Sequence, residues 1–382
     1  MPAIGKSIAL LDNLYKAGLS NTQSLINTVF ADMYQESFWK RYFDKDGMPT
    51  PSDSQGVATF RAMEMIAQSS PMLEPRARWS EPTESPKGSM NYYTGSIGDF
   101  GRSFSITPEE EEYYQVMLEM SGGDVNVLTQ YVSNINDLVK GAHATISNLS
   151  AQLMSKGQMI SANTTGFKFQ GIADIPAARF KTAGAKVWSD ISSDILTKMQ
   201  TEEDALRTAT GFTGMLTWKM DKTTFRNIQL NTAVRTQVGS YLNYNNVLFT
   251  TNSIVTLDAF NQWAANVGNL SVIELVEEKQ MLNGGQTSYY TTVRGWETGN
   301  AVLSPAGKQG VIKYSNINEL AKLANYPNKQ VAYLENGLFG IMNWLNDSGR
   351  SPVRITELLI AIAPALSVYN TMTIVDTTTA DL

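Results

Sequence analysis

Cysteine is absent from the 382 residues, and histidine occurs once, as His143. These gaps exclude thiolate nucleophiles, disulfide frameworks, cysteine-ligated zinc and any centre built from several histidines. Charge is scarce as well: 17% of the residues are charged, against roughly 25% in ordinary soluble domains. Net charge is −6 with no block of lysine or arginine, so tight binding to nucleic-acid phosphates is not expected. No apolar run approaches the roughly 18 residues of a membrane helix, and the start, MPAIGKSIALLDNLYKAGL, has no signal-peptide core. Synthesis in the cytoplasm and no membrane partner are the expectation. The phosphate-binding G-x-x-x-x-G-K-[ST] loop, the G-x-G-x-x-G fingerprint, H-E-x-x-H and the G-x-S-x-G elbow are all missing.

What is present is 42% hydrophobic residues, enough for one large core or two to three smaller ones. Asn, Thr, Ser and Gln are plentiful. A neutral polar surface loses its water easily against another protein.

Residues 6–45 carry apolar positions at helical spacing, among them Leu10, Leu14, Ile26, Phe30 and Met33. The aromatic-rich ESFWKRYFDKDGMPTPSDSQG then reads as a break and linker, followed by a short helix near 57–68. Five prolines mark 71–108, and alternating aromatic and small residues there predict two extended arms, near 76–80 and 90–106, joined by a tip around Pro82 to Gly88. Such a ribbon cannot bury itself alone and calls for a partner surface. The run of four glutamates in ITPEEEEYYQ resembles an acid cluster. Thr107 as N-cap, Pro108 in the first turn and carboxylates at the positive end of a helix explain it as a helix start.

Residues 124–157 predict one long helix, capped by Ser121 or Asp124 before it and by Gly157 after it. Leu128, Tyr131, Val132, Ile135, Leu138, Val139, Ala142, Ile146, Leu149 and Leu153 form a stripe at steps of three and four. Its other face shows Gln130, Asn134, Asn136, Ser147, Asn148 and Gln152, with Asp137 and Lys140 as the charges between the caps. A solvent-facing helix of this length usually carries many ion pairs. The expectation is a spine inside an assembly, its quiet side covered by sister copies.

Downstream, 157–176 reads as strands, and a helix begins near Ser192 or Ser193. WKMDKTTFRNIQLNTAVRTQVG reads as another, capped by Asp221, and TLDAFNQWAANVG as a third. Period-two alternation around Asn283-Gly284 predicts a hairpin leading to a third strand, and the C-terminal segments are rich in β-branched residues. The whole is an α+β chain.

No residue is nominated as catalytic, cofactor-binding or metal-binding. His143 lies beside the apolar stripe with no nucleophile near it in sequence. Asp190 with Asp194, or Glu202, Glu203 and Asp204, could pair as acid and base, but their place at a helix start favours capping and solvation. Trp188 reads as a packing anchor, and Gly307-Lys308 lacks the rest of a phosphate loop.

The order of arm, ribbon, spine, α+β domain and returning strands resembles the Hong Kong 97-like fold of tailed-phage major capsid proteins. DLVKGAHATISNLSAQLMSKGQMI, WSDISSDILTKM and GWETGNAVLSPAGKQGVIKY together resemble the lambda-type major capsid protein E family, over about residues 71–376. The resemblance implies an N-terminal arm at 1–70, an extended loop (E-loop) at 71–108, a peripheral domain from 108–185 and 330–382 with the spine at 124–157, and an axial domain at 186–329. It implies a non-enzymatic subunit that assembles with itself into the hexamers and pentamers of an icosahedral head around double-stranded DNA. Portal, scaffold and decoration proteins would be partners, contact with packaged DNA would be weak and non-specific, and the protein would reside in the virion. Lys87 is the ribbon lysine available for the covalent cross-link some members make, but no partner is fixed and none is expected. The same fold in an encapsulin-type compartment is the alternative; a hydrolase with paired carboxylates ranks below it.

Overall fold

The computed structural model describes residues 37–45, 59–65, 90–110, 112–113, 116, 125–162, 168–244, 254–276, 281–284, 290–315, 329–334, 337–346 and 353–381. Its first segment is a short helix, α1 (Phe38–Tyr42), that runs directly into strand β1 (Phe43–Lys45). Strands β2 (Thr59–Met65) and β3 (Met90–Ser96) pair antiparallel, and β4 (Gly98–Ile106) follows. Next come the long helix α2 (Val125–Lys156), the hairpin β5 (Gln158–Ala162) and β6 (Lys168–Ile172), and β7 (Phe180–Thr182). A helical stretch contains α3 (Ile195–Thr210), β8 (Leu216–Met220), α4 (Lys222–Leu230), α5 (Thr232–Tyr244), α6 (Leu257–Trp263) with a π turn over Ala264–Gly268, and β9 (Val272–Leu275). Hairpin β10 (Met281–Gly284) and β11 (Tyr290–Val293) precedes β12 (Asn300–Pro305) and β13 (Gly310–Tyr314). The chain ends with β14 (Lys329–Leu334), β15 (Phe339–Asn346), β16 (Val353–Leu366) and β17 (Thr373–Asp376).

Two sheets organise these elements. One runs β1-β13-β16-β15-β14, with β4 also paired to β16; the other runs β7-β17-β12-β8-β9. Strand β16 is the axis of the first. Its 14 residues, VRITELLIAIAPAL, are mostly branched and apolar, and they pair with β15, β13 and, from Arg354 to Ile362, with β4. Over this sheet lies α2, whose stripe of Leu138, Val139, Ala142, Ile146, Leu149 and Leu153 is buried with Leu358, Ile360 and Ile362 in one core.

The second core lies between the other sheet and helices α3 to α6. Along β12, Ala301 and Leu303 face it while Val302 faces the first core; on β17, Val375 and Ile374 divide the same way. This sheet is therefore buried on both faces, so β8 (LTWKM) is buried at every position although its residues alternate between apolar and polar. Both sheets draw strands from either side of the boundaries expected near 186 and 329: β13 joins β16, and β7 and β17 join β12.

Several expected elements differ. Within the short helix expected near 57–68, residues 59–65 are instead strand β2, opposite 90–96. The segment contains good helix formers, but Phe60 lies over Gly95, where a Cβ would come within 2.6 Å of the ring. Cross-strand packing there outweighs local propensity. The helix expected through 45 ends at Tyr42, because Phe43–Lys45 pairs in parallel with β13. Strand β4 is not a protruding arm but part of the first sheet, whereas β2 and β3 pair only with each other among the described strands. The arm expected at 76–80, the tip, Ser121 and Asp124 lie outside the described residues, as do residues 1–36.

The helix read across 218–239 is strand, helix and a second helix. Asp221 caps α4 by accepting from the Thr223 and Thr224 amides (3.3 and 3.1 Å). Asn231 then ends α4 in extended conformation and caps α5 by accepting from the Val234 amide at 3.1 Å. Helix α3 begins after Asp194, one residue beyond Ser193 and two beyond Ser192, the caps expected, and Ser192 instead closes a turn on Asp190. Asn283 and Gly284 are paired strand residues and not the turn expected of them; residues 285–289 lie outside the described residues.

Candidate interaction surfaces and the seam between two cores

The residues singled out for chemistry are dispersed and mostly structural. Glu110 closes a capping box: its amide donates to Thr107 Oγ1 (3.3 Å), and its carboxylate accepts from the Thr107 amide (2.8 Å). Glu202 and Glu203 are buried rather than solvated, which corrects the expectation. Glu203 accepts from Trp218 Nε1 (2.8 Å) and from the amide and hydroxyl of Ser271 (both 2.9 Å), and Glu202 pairs with Lys198 at 3.0 Å. With both oxygens engaged, the Glu203 carboxylate ties α3 to β8 and the start of β9. Trp188 is buried, donates to the Ala183 carbonyl and packs against Trp218, the anchor role expected of it. No group of three metal-ligating side chains occurs among the described residues. Lys87 lies outside them.

His143 is part of a joint. Its Nδ1 accepts from Trp39 Nε1 at 3.1 Å, its ring stacks on the indole at 4° and 5.8 Å, and Phe339 meets it edge-on at 4.8 Å. Burial, then the nearby Lys40 charge, pushes its pKa down to about 3. The imidazole is thus neutral near neutrality.

The quiet side of α2 finds part of its cover within the chain. Ser147, Ser150 and Ser155 are buried. Ser155 Oγ accepts from the Glu297 amide (3.0 Å) and its carbonyl accepts from Asn300 Nδ2 (2.8 Å). Gln152 accepts from the Ile160 amide (2.8 Å) and donates to Asn148 (2.7 Å), and Lys156 pairs with Glu297. Ser155 bonds to the loop before β12 and to its first residue, while Gln152 bonds to β5 and to Asn148. From Asp137 onward this part of the expectation is corrected: the chain itself supplies much of the covering that sister copies were expected to give. Gly157, at φ +72°, then turns the chain into β5 in the left-handed conformation glycine tolerates.

Between the cores lies a polar seam that the sequence did not signal. Lys219 of β8 is wholly buried, donating to Ser304 Oγ (2.8 Å) and the Pro305 carbonyl (3.2 Å). In register it stands opposite Val302 and Glu274, so it faces the first core. Burial lowers its pKa to about 8, with Glu274 pulling the other way. Arg41 of α1 forms an ion pair with Glu274. Burial and the Glu274 charge raise the Tyr42 hydroxyl well above its ordinary value.

Outward-facing apolar residues mark surfaces open to partners. A groove of about 410 Å³ between α5 and α6 is lined by Thr236, Tyr241, Tyr244, Trp263 and Val267, with Tyr244 87% exposed. Ile160 and Ile172 are exposed on the β5–β6 hairpin, and Ile191, Leu230 and Ile254 around the helices of the second core.

No protein-family model matches the sequence, and no curated protein matches it. Solved structures do match. A prophage protein of Escherichia coli CFT073, assigned as a capsid protein, aligns with a TM-score of 0.52 and 15% identity over 92% of this chain and 98% of its own. A phage-related protein of Bordetella bronchiseptica RB50 aligns at 0.45 with 10% identity, covering 89% of this chain and 91% of that one. The capsid of Ralstonia phage GP4 aligns at 0.40 with 11% identity, covering 90% and 92%. The α+β fold of this chain is the one found in the E. coli prophage protein.

Proposed function

We propose that the chain is a structural, non-enzymatic capsid subunit of a tailed phage or prophage, which assembles with copies of itself into the hexamers and pentamers of a DNA-containing head. One observation carries the reading: the fold is shared with the prophage capsid protein across nearly the full length of both chains. In this reading α2 and the six-stranded sheet form the peripheral domain, the five-stranded sheet with helices α3 to α6 the axial domain, and the β2–β3 ribbon the base of the extended loop. The two-stranded ribbon fits the role physically, because a lone strand pair gains too little burial to stand by itself in water. Portal, scaffold and decoration proteins would meet this subunit in the virion after its synthesis in the bacterial cytoplasm, and contact with DNA would be weak and non-specific given the net charge of −6.

Sedimentation velocity of the expressed chain tests the reading. Capsomers or larger particles are expected from the natural sequence. Leu138→Pro should eliminate them, because it breaks α2 at a position buried against β16, at a cost of about 3 kcal/mol or more. A natural chain that sediments as a monomer at every concentration would refute it.

A further inference from the structure

Residues 37–45 touch more of the molecule than their length would suggest. Phe38, Trp39, Tyr42 and Phe43 are buried in the first core, where Trp39 holds His143 of α2 and Phe38 meets Trp296 edge-on. On the other side Arg41 reaches Glu274 on β9, in the sheet that backs the second core. The turn after β12 closes over the segment. The Gln309 backbone N–H donates to the Tyr42 carbonyl (2.6 Å), and Lys308 donates to the carbonyls of Lys40 and Phe43 and pairs with Asp44 at 3.1 Å. Strand β1 adds to the edge of the first sheet through three register pairs, Phe43–Lys45 beside Gly310–Ile312.

We propose that residues 37–45 are a strap that tightens the first core against the five-stranded sheet that both cores share, fastened by Arg41 and by the Lys308-Gln309 turn, and that unfastening it loosens the packing of α2 and the six-stranded sheet on that shared sheet. The aromatic side chains anchor the strap to the first core alone, while its links to the shared sheet and the connecting turn are polar and partly exposed: the Arg41 and Lys308 side chains are 55% and 44% accessible. Exposed ion pairs contribute little each, so this side is the one that opens. Beneath it Glu274 faces two cations, Arg41 in the ion pair and Lys219 across the register. When Arg41 leaves, the half-buried Glu274 still has Lys219 as a counter-charge. The inference concerns one chain and stands independently of shell assembly.

The absence of cysteine makes a direct test simple. Asp137→Cys on α2 and Thr201→Cys on α3, both exposed positions on opposite sides of the seam, would carry two spin labels, with unlabelled chain added in excess to remove contacts between copies. Electron–electron resonance should give one narrow distance distribution in this otherwise natural background. Arg41→Ala with Lys308→Ala should broaden it at least twofold while circular dichroism stays unchanged. Trp39→Ala should broaden it further if the variant folds; if it does not, the surface pair alone decides. An unchanged width in the Arg41→Ala/Lys308→Ala variant overturns the proposal. So does failure of that variant to fold, because the segment would then be part of the core and not a fastening upon it.

Discussion

Replacing His143 by Gln removes the group that should make this protein sensitive to acid. The folded pKa is about 3 and the ordinary value 6.5. The unfolded chain therefore binds the proton first as pH falls, and stability that is complete above pH 6.5 drains away as pH approaches 3. Integrated from pH 7 to pH 4, a shift of this size removes about 3 kcal/mol. The physical source is the joint itself: protonation would put a cation between the Trp39 and Phe339 rings, turn Nδ1 from acceptor to donor against Trp39 Nε1, and place a second positive charge near Lys40. The glutamine amide of the variant can still accept from the indole but cannot titrate. Urea titrations followed by circular dichroism at pH 7 and pH 4 would measure the loss in both proteins, and the carboxylates, common to both, cancel in the difference. The natural chain should lose about 3 kcal/mol more than His143→Gln. Equal losses would show that the ring is solvated and that the Trp39–His143–Phe339 joint does not bury it.

At the other end of the pH scale, Lys219 has a folded pKa of about 8, below its ordinary 10.5. Its destabilising contribution is complete below pH 8 and fades as pH rises toward 10.5. The natural chain should gain about 2 kcal/mol between pH 7 and 9.5 relative to Lys219→Met, measured by the same titrations. Stopping at 9.5 avoids the opposing titration of tyrosines. Gly310→Ala should cost about 2–4 kcal/mol in a thermal or urea melt, because the new Cβ would fall well inside contact distance of the Ala365 carbonyl oxygen and 2.9 Å from the Phe43 ring. A neutral result would mean that β1 and β16 do not close on β13 from both sides.

The parts of this fold that were legible in the sequence are those governed by neighbours in the chain. A stripe at steps of three and four followed by Gly157 marked α2; Thr107 with Glu110, and Asp221, marked the helix starts that their own hydrogen bonds now explain. What was hidden depends on distant partners. The good helix formers of 59–65 become a strand only because 90–96 lies opposite, with Gly95 leaving room for Phe60. The break at Asn231 was hidden because its side chain leaves the helical pattern to cap α5 and also donates to the Ser193 carbonyl at 2.7 Å. Neutral serines on α2 looked like a surface for sister copies, and from Ser147 onward several are bonded or buried within the chain. FWKRYF was read as part of a break and linker although its aromatics are buried in the first core, and nothing local indicated that Arg41 would reach Glu274 or that Lys308 would fasten the same segment. Lys219 was hidden because LTWKM alternates apolar and polar residues as a half-exposed strand does, and nothing local showed that the sheet would be covered on both faces.

Negative-stain electron microscopy of the chain expressed by itself is the most direct check on the capsid reading. Rings of five or six subunits, tubes or closed shells are the predicted images. Fields of dispersed single molecules, persisting at high protein concentration and with the ribbon folded back on its own body, would contradict it.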